Sequence, residues 1–323
     1  MKSKSLIILS ALVLSLFPKA SFGQSPDLGA ASGFAFFTSD GAFTNNGLSS
    51  ITGDIGTNVG ALTGFPPGTL TGQIHVADAA SSQAATALSL VYGNLSARTP
   101  TAVIGVTLGN GQVLTSGVYS MGAASTINGI LTLDAQENPD ALFIFQIDGA
   151  FSTTAFSSVM LINKASLCHV FWQITGATTL GENSVFRGNI VSGGAIELLE
   201  GSSLHGRGLT TAGKIILHSN VASFLPSSAG TVTGTASLCQ GEAGIAYTVP
   251  GITDATDYVW TLPAGTTITS GANTNSIIVS FSKTALSGNI SVYGTNACGN
   301  GVVSSDFQVT VNPLPNTSLI YHF

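Results

Sequence analysis

The sequence predicts a mainly β fold: a solenoid of short stacked strands (a β-helix), one long α-helix packed alongside it, and a smaller C-terminal β-sandwich. The first observation behind this is an 18-residue self-similarity, in which Ser184, Phe186, Gly188, Val191, Ser192 and Leu198 recur as Ser202, Leu204, Gly206, Leu209, Thr210 and Ile216. A repeat of that length, built from β-formers, Ser/Thr and Gly, is one coil of a solenoid, too short to bury a core alone. The second is a shorter signature, apolar-x-Gly-x and then an apolar residue, at 51–55, 70–74, 127–131 and 186–190. Alternation turns its first apolar residue inward, and glycine suits the bend between faces. The third is a change of pattern after residue 230, where the coil signature gives way to longer alternating strands.

Composition narrows the function. Charged residues make up 7% of the 323-residue chain, against about 25% in ordinary globular proteins. Its surface is therefore covered by Ser, Thr, Asn, Gly and Ala. A net charge of −6 without a Lys/Arg cluster beyond the first residues argues against nucleic acid and against a polybasic membrane contact. Mean hydropathy is +0.43. After residue 22, however, no apolar run approaches the about 20 residues of a membrane span, so no membrane insertion is expected.

Along the chain, residues 1–23 read as a signal peptide. Lys2 and Lys4 precede an apolar run over 6–17, and Ser21-Phe22-Gly23 offers small residues for cleavage after Gly23. The product would be secreted and extracellular. Residues 24–225 form the solenoid domain. Within it, 76–98 is the helix: Val76, Ala80, Ala84, Leu88, Val91 and Leu95 share one face, Asp78 sits in the first turn and Pro100 stops it. Residues 226–230 read as a linker, 231–312 as the sandwich and 313–323 as a tail. Of three cysteines, Cys239 and Cys298 are expected to pair because both lie in the C-terminal region, leaving Cys168 a buried thiol. Trp260 between them follows the Cys, Trp, Cys order of an immunoglobulin-like sandwich.

These residues carry a resemblance. Gly117-Val118-Tyr119-Ser120, Leu131-Thr132-Leu133-Asp134-Ala135-Gln136, Phe143-Ile144-Phe145-Gln146-Ile147, Val170-Phe171-Trp172-Gln173-Ile174 and Phe186-Arg187-Gly188-Asn189-Ile190 resemble the microbial ice-binding proteins. Gly53-Asp54-Ile55-Gly56 and Thr63-Gly64-Phe65-Pro66-Pro67-Gly68 are similar to that family's N-terminal coils. The resemblance implies an interrupted right-handed β-helix with the long helix packed along it, and the ice crystal surface as partner. The C-terminal part resembles PKD-like modules of secreted bacterial surface proteins, which implies a spacer or attachment role at a cell surface or matrix. The chain is expected to act as a monomer.

Ice is an uncharged partner with a repeating lattice of oxygens, and it calls for a flat, rigid face. Stacked strands give a regular ladder, and Thr combines a methyl group with a hydroxyl. The family's pattern of Thr, Ala or Gly, any residue, then Thr or Asn is met by Thr175-Gly176-Ala177-Thr178. Aligning Ile174 with Ile190 carries that face to Ser192, and the 18-residue offset carries it to Thr210 and Thr211. Ile147 brings in Gly149, and Ile55 brings in Thr57 and Asn58. The expected ice-binding face is thus Thr57, Asn58, Gly149, Thr175, Gly176, Thr178, Ser192, Thr210 and Thr211, broken by Asp148, Val191 and Leu209, with moderate activity.

The alternative is an extracellular adhesin, or a β-helix that binds or cleaves polysaccharide. Cleavage needs paired carboxylates, and Glu182 and Glu200 differ by one coil, with Glu197, Arg187, Arg207, His205 and His218 nearby. They read as solvated turn residues because no third acidic coil continues the row. No enzyme activity, catalytic residue, cofactor or metal site is expected, since recurrent Asp at fixed offsets and a nucleotide loop in strand-loop-helix context are missing.

Overall fold

A computed structural model describes residues 25–315 of the chain. The expected signal peptide and residues 316–323 of the expected tail lie outside the described residues. Strands stack in parallel into three faces. The helix face runs Ala102–Val103, Gly117–Met121, Phe143–Ile147, Val170–Ile174, the second halves of Val185–Ser192 and Ser203–Thr210, then Phe34–Thr38, Asp54–Thr57 and Ile74–Val76. An open face runs Thr107–Gly109, Ser125–Asn128, Phe151–Thr153, Thr178–Leu180, Ile196–Leu198, Ile215–Leu217, Phe43–Asn45 and Leu62–Thr63. The third face includes Gln112–Thr115, Ile130–Asp134, Ser158–Ile162 and the first halves of Val185–Ser192 and Ser203–Thr210.

Spatial order departs from chain order. The first two coils seat on the last full coil, with Phe36 opposite Gly208 and Phe43 opposite Ile215. From there the chain must return to the far end of the stack, eight strand steps away on the helix face, or about 38 Å at the usual spacing. The helix Ala79–Ser96 covers about 27 Å of that distance, and the flanking loops cover the rest. It is shorter than the sequence implied. Val76 ends a strand, Ala77 takes a positive φ of 49°, and Asp78 caps the helix in a reciprocal box with Ser81. Ala84, Leu88, Val91 and Leu95 do face inward, against Phe37, Ile144 and Phe171. Val191 and Leu209, expected to interrupt the ice face, lie fully buried in this same cluster. At the helix C-terminus the Gln146 side-chain amide donates to the carbonyls of Leu95 and Arg98, each at 2.8 Å.

Inside the stack, aromatic side chains pile up in register. Tyr119, Phe145 and Trp172 stack at 5.4 and 3.9 Å between centroids, and the Trp172 indole donates to the Arg187 carbonyl at 3.1 Å. The 18-residue repeat holds through Ser192 and Thr210. Beyond that pair the later coil gains a residue, so Leu198 pairs with Leu217 and not with Ile216. Gly213, with φ of +99°, lies in the lengthened corner. Glycine is required at Gly206, where a Cβ would stand 2.0 Å from the Gly188 carbonyl oxygen.

The C-terminal module is a sandwich. One sheet orders Thr233–Gly234, Ile245–Thr248, Ser276–Phe281 and Thr266–Ser270, all antiparallel. The other joins Ser237–Cys239 in parallel to Phe307–Asn312, followed by Gly288–Asn296 and Asp257–Thr261. Tyr247, Val279, Val292 and Val309 fill the space between. The expected cysteine pairing is corrected: the disulfide joins Cys168 to Cys298, and Cys239 is free and exposed. Cys239 ends an edge strand at the surface, whereas Cys298 follows the strand Gly288–Asn296 and meets the solenoid at the short 3-10 turn Leu167–His169. Proximity between the modules decides the pairing. Trp260 accordingly packs against no disulfide, and its indole donates to the Thr274 carbonyl.

Candidate functional site

The open face presents a surface of unusual regularity. In the three-residue strands Phe151–Thr153, Thr178–Leu180, Ile196–Leu198, Ile215–Leu217 and Phe43–Asn45 the outer residues turn inward and the middle one outward, whereas in Thr107–Gly109 the first residue is the outward one. Outward residues in register make one column: Thr107, Thr126, Ser152, Thr179, Glu197, Ile216, Thr44 and Thr63. Two residues earlier in each coil lies a second column: Gly105, Ala124, Ala150, Ala177, Ala195, Lys214, Ala42 and Ala61. Steps within a column are about 4.8 Å and the columns stand about 6.7 Å apart. Hydroxyls line up across coils: Ser152 donates to Thr126 at 3.2 Å, and Thr154 to the Asn128 side chain at 3.2 Å. A shallow depression of about 340 Å³ follows the columns from Thr107 to Thr179.

Charge enters the columns at one place. Lys214 projects from one coil, and Glu197, on the neighbouring coil, accepts from the His218 ring at 3.2 Å. At the corner before the Ala column, the Thr175 hydroxyl lies 3.4 Å from the Asp148 carboxylate.

The expected row of Thr57, Ser192 and Thr210 rested on a register that the structure does not have. Ile174 pairs with Ser192, not with Ile190, and a slip of two residues preserves the in-and-out alternation, so the pattern gives no warning of it. Ser192, Thr210 and Thr57 consequently continue the inward row of Met121, Ile147 and Ile174. Each is fully buried. Their hydroxyls donate to the corner carbonyls of Gly176, Gly194 and Gly41 at 2.8, 2.7 and 2.8 Å. Thr178 is also inward and buried. Thr175 is exposed, and Asn58 and Thr211 are half-buried on that corner. Gly149 and Gly176 are stacking positions, since a Cβ on either would fall 2.7 to 2.8 Å from the neighbouring coil's backbone. The signal that was available is Ala-x-Ser/Thr, which recurs at 42–44, 61–63, 124–126, 150–152 and 177–179.

The third face differs in kind. There Asp254 of the sandwich bonds His205 and lies 3.3 Å from the Arg187 guanidinium. Burial pushes the Asp254 carboxyl up, but the hydrogen bond and charge of His205, with those of Arg187, outweigh it and hold the carboxyl below its ordinary range. Arg207 lies behind this joint, bonded to Ser32 and Asn189, 3.2 Å from the Cys298 sulfur and 3.8 Å over the Phe224 ring. Burial lowers its pKa to about 10, still charged at neutral pH. Glu182 and Glu200 occupy exposed turns of stacked coils. Among the described residues no cluster of three His, Cys, Asp or Glu could hold a metal, and no helix is long and apolar enough to cross a membrane.

Comparison with known proteins accords with this geometry. Residues 37–223 match the model of the ice-binding-like family, and residues 225–309 match that of the PKD-like domain. The chain is 36% identical over 224 residues to an ice-binding protein of Nostoc sp. (strain HG1), covering 68% of this chain and 82% of that protein. It is 29% identical over 229 residues to ice-binding protein 1 of Shewanella frigidimarina, covering 61% of this chain but only 26% of that longer protein. Among solved structures it resembles an ice-binding protein of the Antarctic ascomycete Antarctomyces psychrotrophicus, at 34% identity and a TM-score of 0.59, over 61% of this chain and 97% of that one.

Proposed function

The chain belongs to the ice-binding-like family, and on that premise we propose that it is a secreted antifreeze protein whose open face adsorbs to ice, inhibiting ice growth and recrystallisation. The observation that carries this reading is the pair of columns, one nearly all Ala and the other nearly all Ser or Thr. Ala methyls keep the plane level, while each Thr adds a methyl that holds back disordered solvent and a hydroxyl that joins an ordered water layer. A partner without charge gives no return for desolvating ions, and so a sparsely charged face suits it. The expected face therefore moves from Thr178, Ser192, Thr210 and Thr57 to Thr179, Ser152, Thr126 and Thr107, with Thr175, Thr211 and Asn58 at its margin.

A disulfide between the modules supports an oxidising, extracellular setting. The protein works as a monomer, and the C-terminal module serves as a spacer or attachment to a cell surface or matrix. The enzyme alternative has less support, because Glu182 and Glu200 stand open to solvent.

Partition into a slowly growing ice ball tests the reading; exclusion of the protein from the ice would overturn it. Thr179→Tyr is expected to remove most of the thermal hysteresis while stability changes by less than about 0.5 kcal/mol, as for other surface substitutions. Unchanged hysteresis would mean that the open face is not the one that binds.

A further inference from the structure

We infer that the open face works as two ice-contacting blocks, and that Glu197, Lys214 and Ile216 set the boundary between them. This rests on the ice-binding reading above and goes on to divide the contact. On one side lie four consecutive coils carrying Thr107, Thr126, Ser152 and Thr179. On the other lie two, carrying Thr44 and Thr63. Between them the register places Glu197 beside Thr179 and Ile216 beside Thr44, so the hydroxyl column is interrupted for two coils, or about 14 Å from Thr179 to Thr44.

Three features make this interruption a boundary. Glu197 and Lys214 hold hydration shells that a flat, uncharged lattice cannot replace. The His218 ring, 3.2 Å from the Glu197 carboxylate, holds that charge within the face. Its side chain and that of Glu197 are 32% and 38% exposed, so the pair is open to solvent and is not folded beneath the face. Ile216, in turn, offers methyl groups but no hydroxyl to the water layer. The blocks also have different origins: the smaller comes from coils that precede the helix, the larger from coils that follow it. The larger block thus supplies most of the adsorption, and the smaller engages only where the lattice is met across the gap.

The combined variant Glu197→Thr, Lys214→Ala and Ile216→Thr makes both columns continuous at outward positions. It is expected to raise thermal hysteresis about twofold at equal concentration, because two weakly coupled blocks become a single contact. In the natural protein Thr44→Tyr is expected to remove a smaller part of the hysteresis than Thr179→Tyr. In the continuous variant it should cancel the gain. Should the triple variant fold poorly by circular dichroism, Glu197→Thr alone carries the same expectation with a smaller rise. No gain in a folded variant, or equal losses from Thr44→Tyr and Thr179→Tyr in the natural protein, would overturn the division. A natural protein that enters ice in all these cases leaves the ice-binding reading standing, whereas its exclusion from ice would overturn both.

Discussion

The open face and the third face are cut from the same coils, yet they are built for opposite ends. On the open face the outward residues are Ala, Ser and Thr over most of eight coils. On the third face the same kind of position carries Arg187 and His205, which hold Asp254 of the sandwich, while Cys168 is linked covalently to Cys298. The difference shows how a solenoid separates tasks. Its backbone ladder supplies the stability, so each outward column is free to be chosen for its partner: a lattice on one side, a protein module on the other.

That separation can be broken or sharpened by experiment. The largest effect is expected from Cys168→Ser or from reduction of the disulfide. A bridge closing a loop of 130 residues contributes about 5 kcal/mol by the loop-entropy account. Chemical denaturation under oxidising and reducing conditions measures the loss, and thermal hysteresis should survive it if the faces are independent. Next comes Asp254→Asn, which leaves Arg187 without its carboxylate and should cost about 2 kcal/mol for a partly buried pair. Because the folded Asp254 carboxyl lies below its ordinary range, its contribution is present above the unfolded value of about 3.9 and fades as pH falls further. Melting temperatures of the natural protein and the Asn variant should therefore converge below about pH 4. The smallest effect is expected from Cys239→Ser, within about 0.5 kcal/mol, since this thiol is exposed and outside the joint. A larger loss would give the sandwich edge a role that the third face does not account for.

The sequence made the architecture readable because a solenoid repeats itself. Four of the six positions in the 18-residue match pair in space, from Phe186 with Leu204 to Ser192 with Thr210, and Ser184 and Ser202 stand just before those strands. The sixth fails at the lengthened corner near Gly213. Corner length is set by glycine conformations, and a hydrophobic pattern hardly records these. Of the expected face, the sequence gives Thr175 an exposed position that the structure keeps, but it does not reveal that Thr57, Thr178, Ser192 and Thr210 turn inward. Parity hides the true pairing of Ile174 with Ser192, since Ser192 two residues from Ile190 points the same way. Nor could spacing along the chain give the Cys168 to Cys298 bond, which depends on how two modules meet. Val191 and Leu209 looked like flaws in a solvent-facing row because nothing in that row announces the helix that covers them.

The seating of the first coils on the last one has a consequence in time. Phe36 and Phe43 have no strand partner on that side until Gly208 and Ile215 exist, so about two thirds of the chain must emerge before its beginning finds a place. Contacts that join such distant residues are slow to form. The N-terminal coils therefore wait, and a chain released early, short of its last solenoid turn, is expected to hold them unseated as targets for proteolysis.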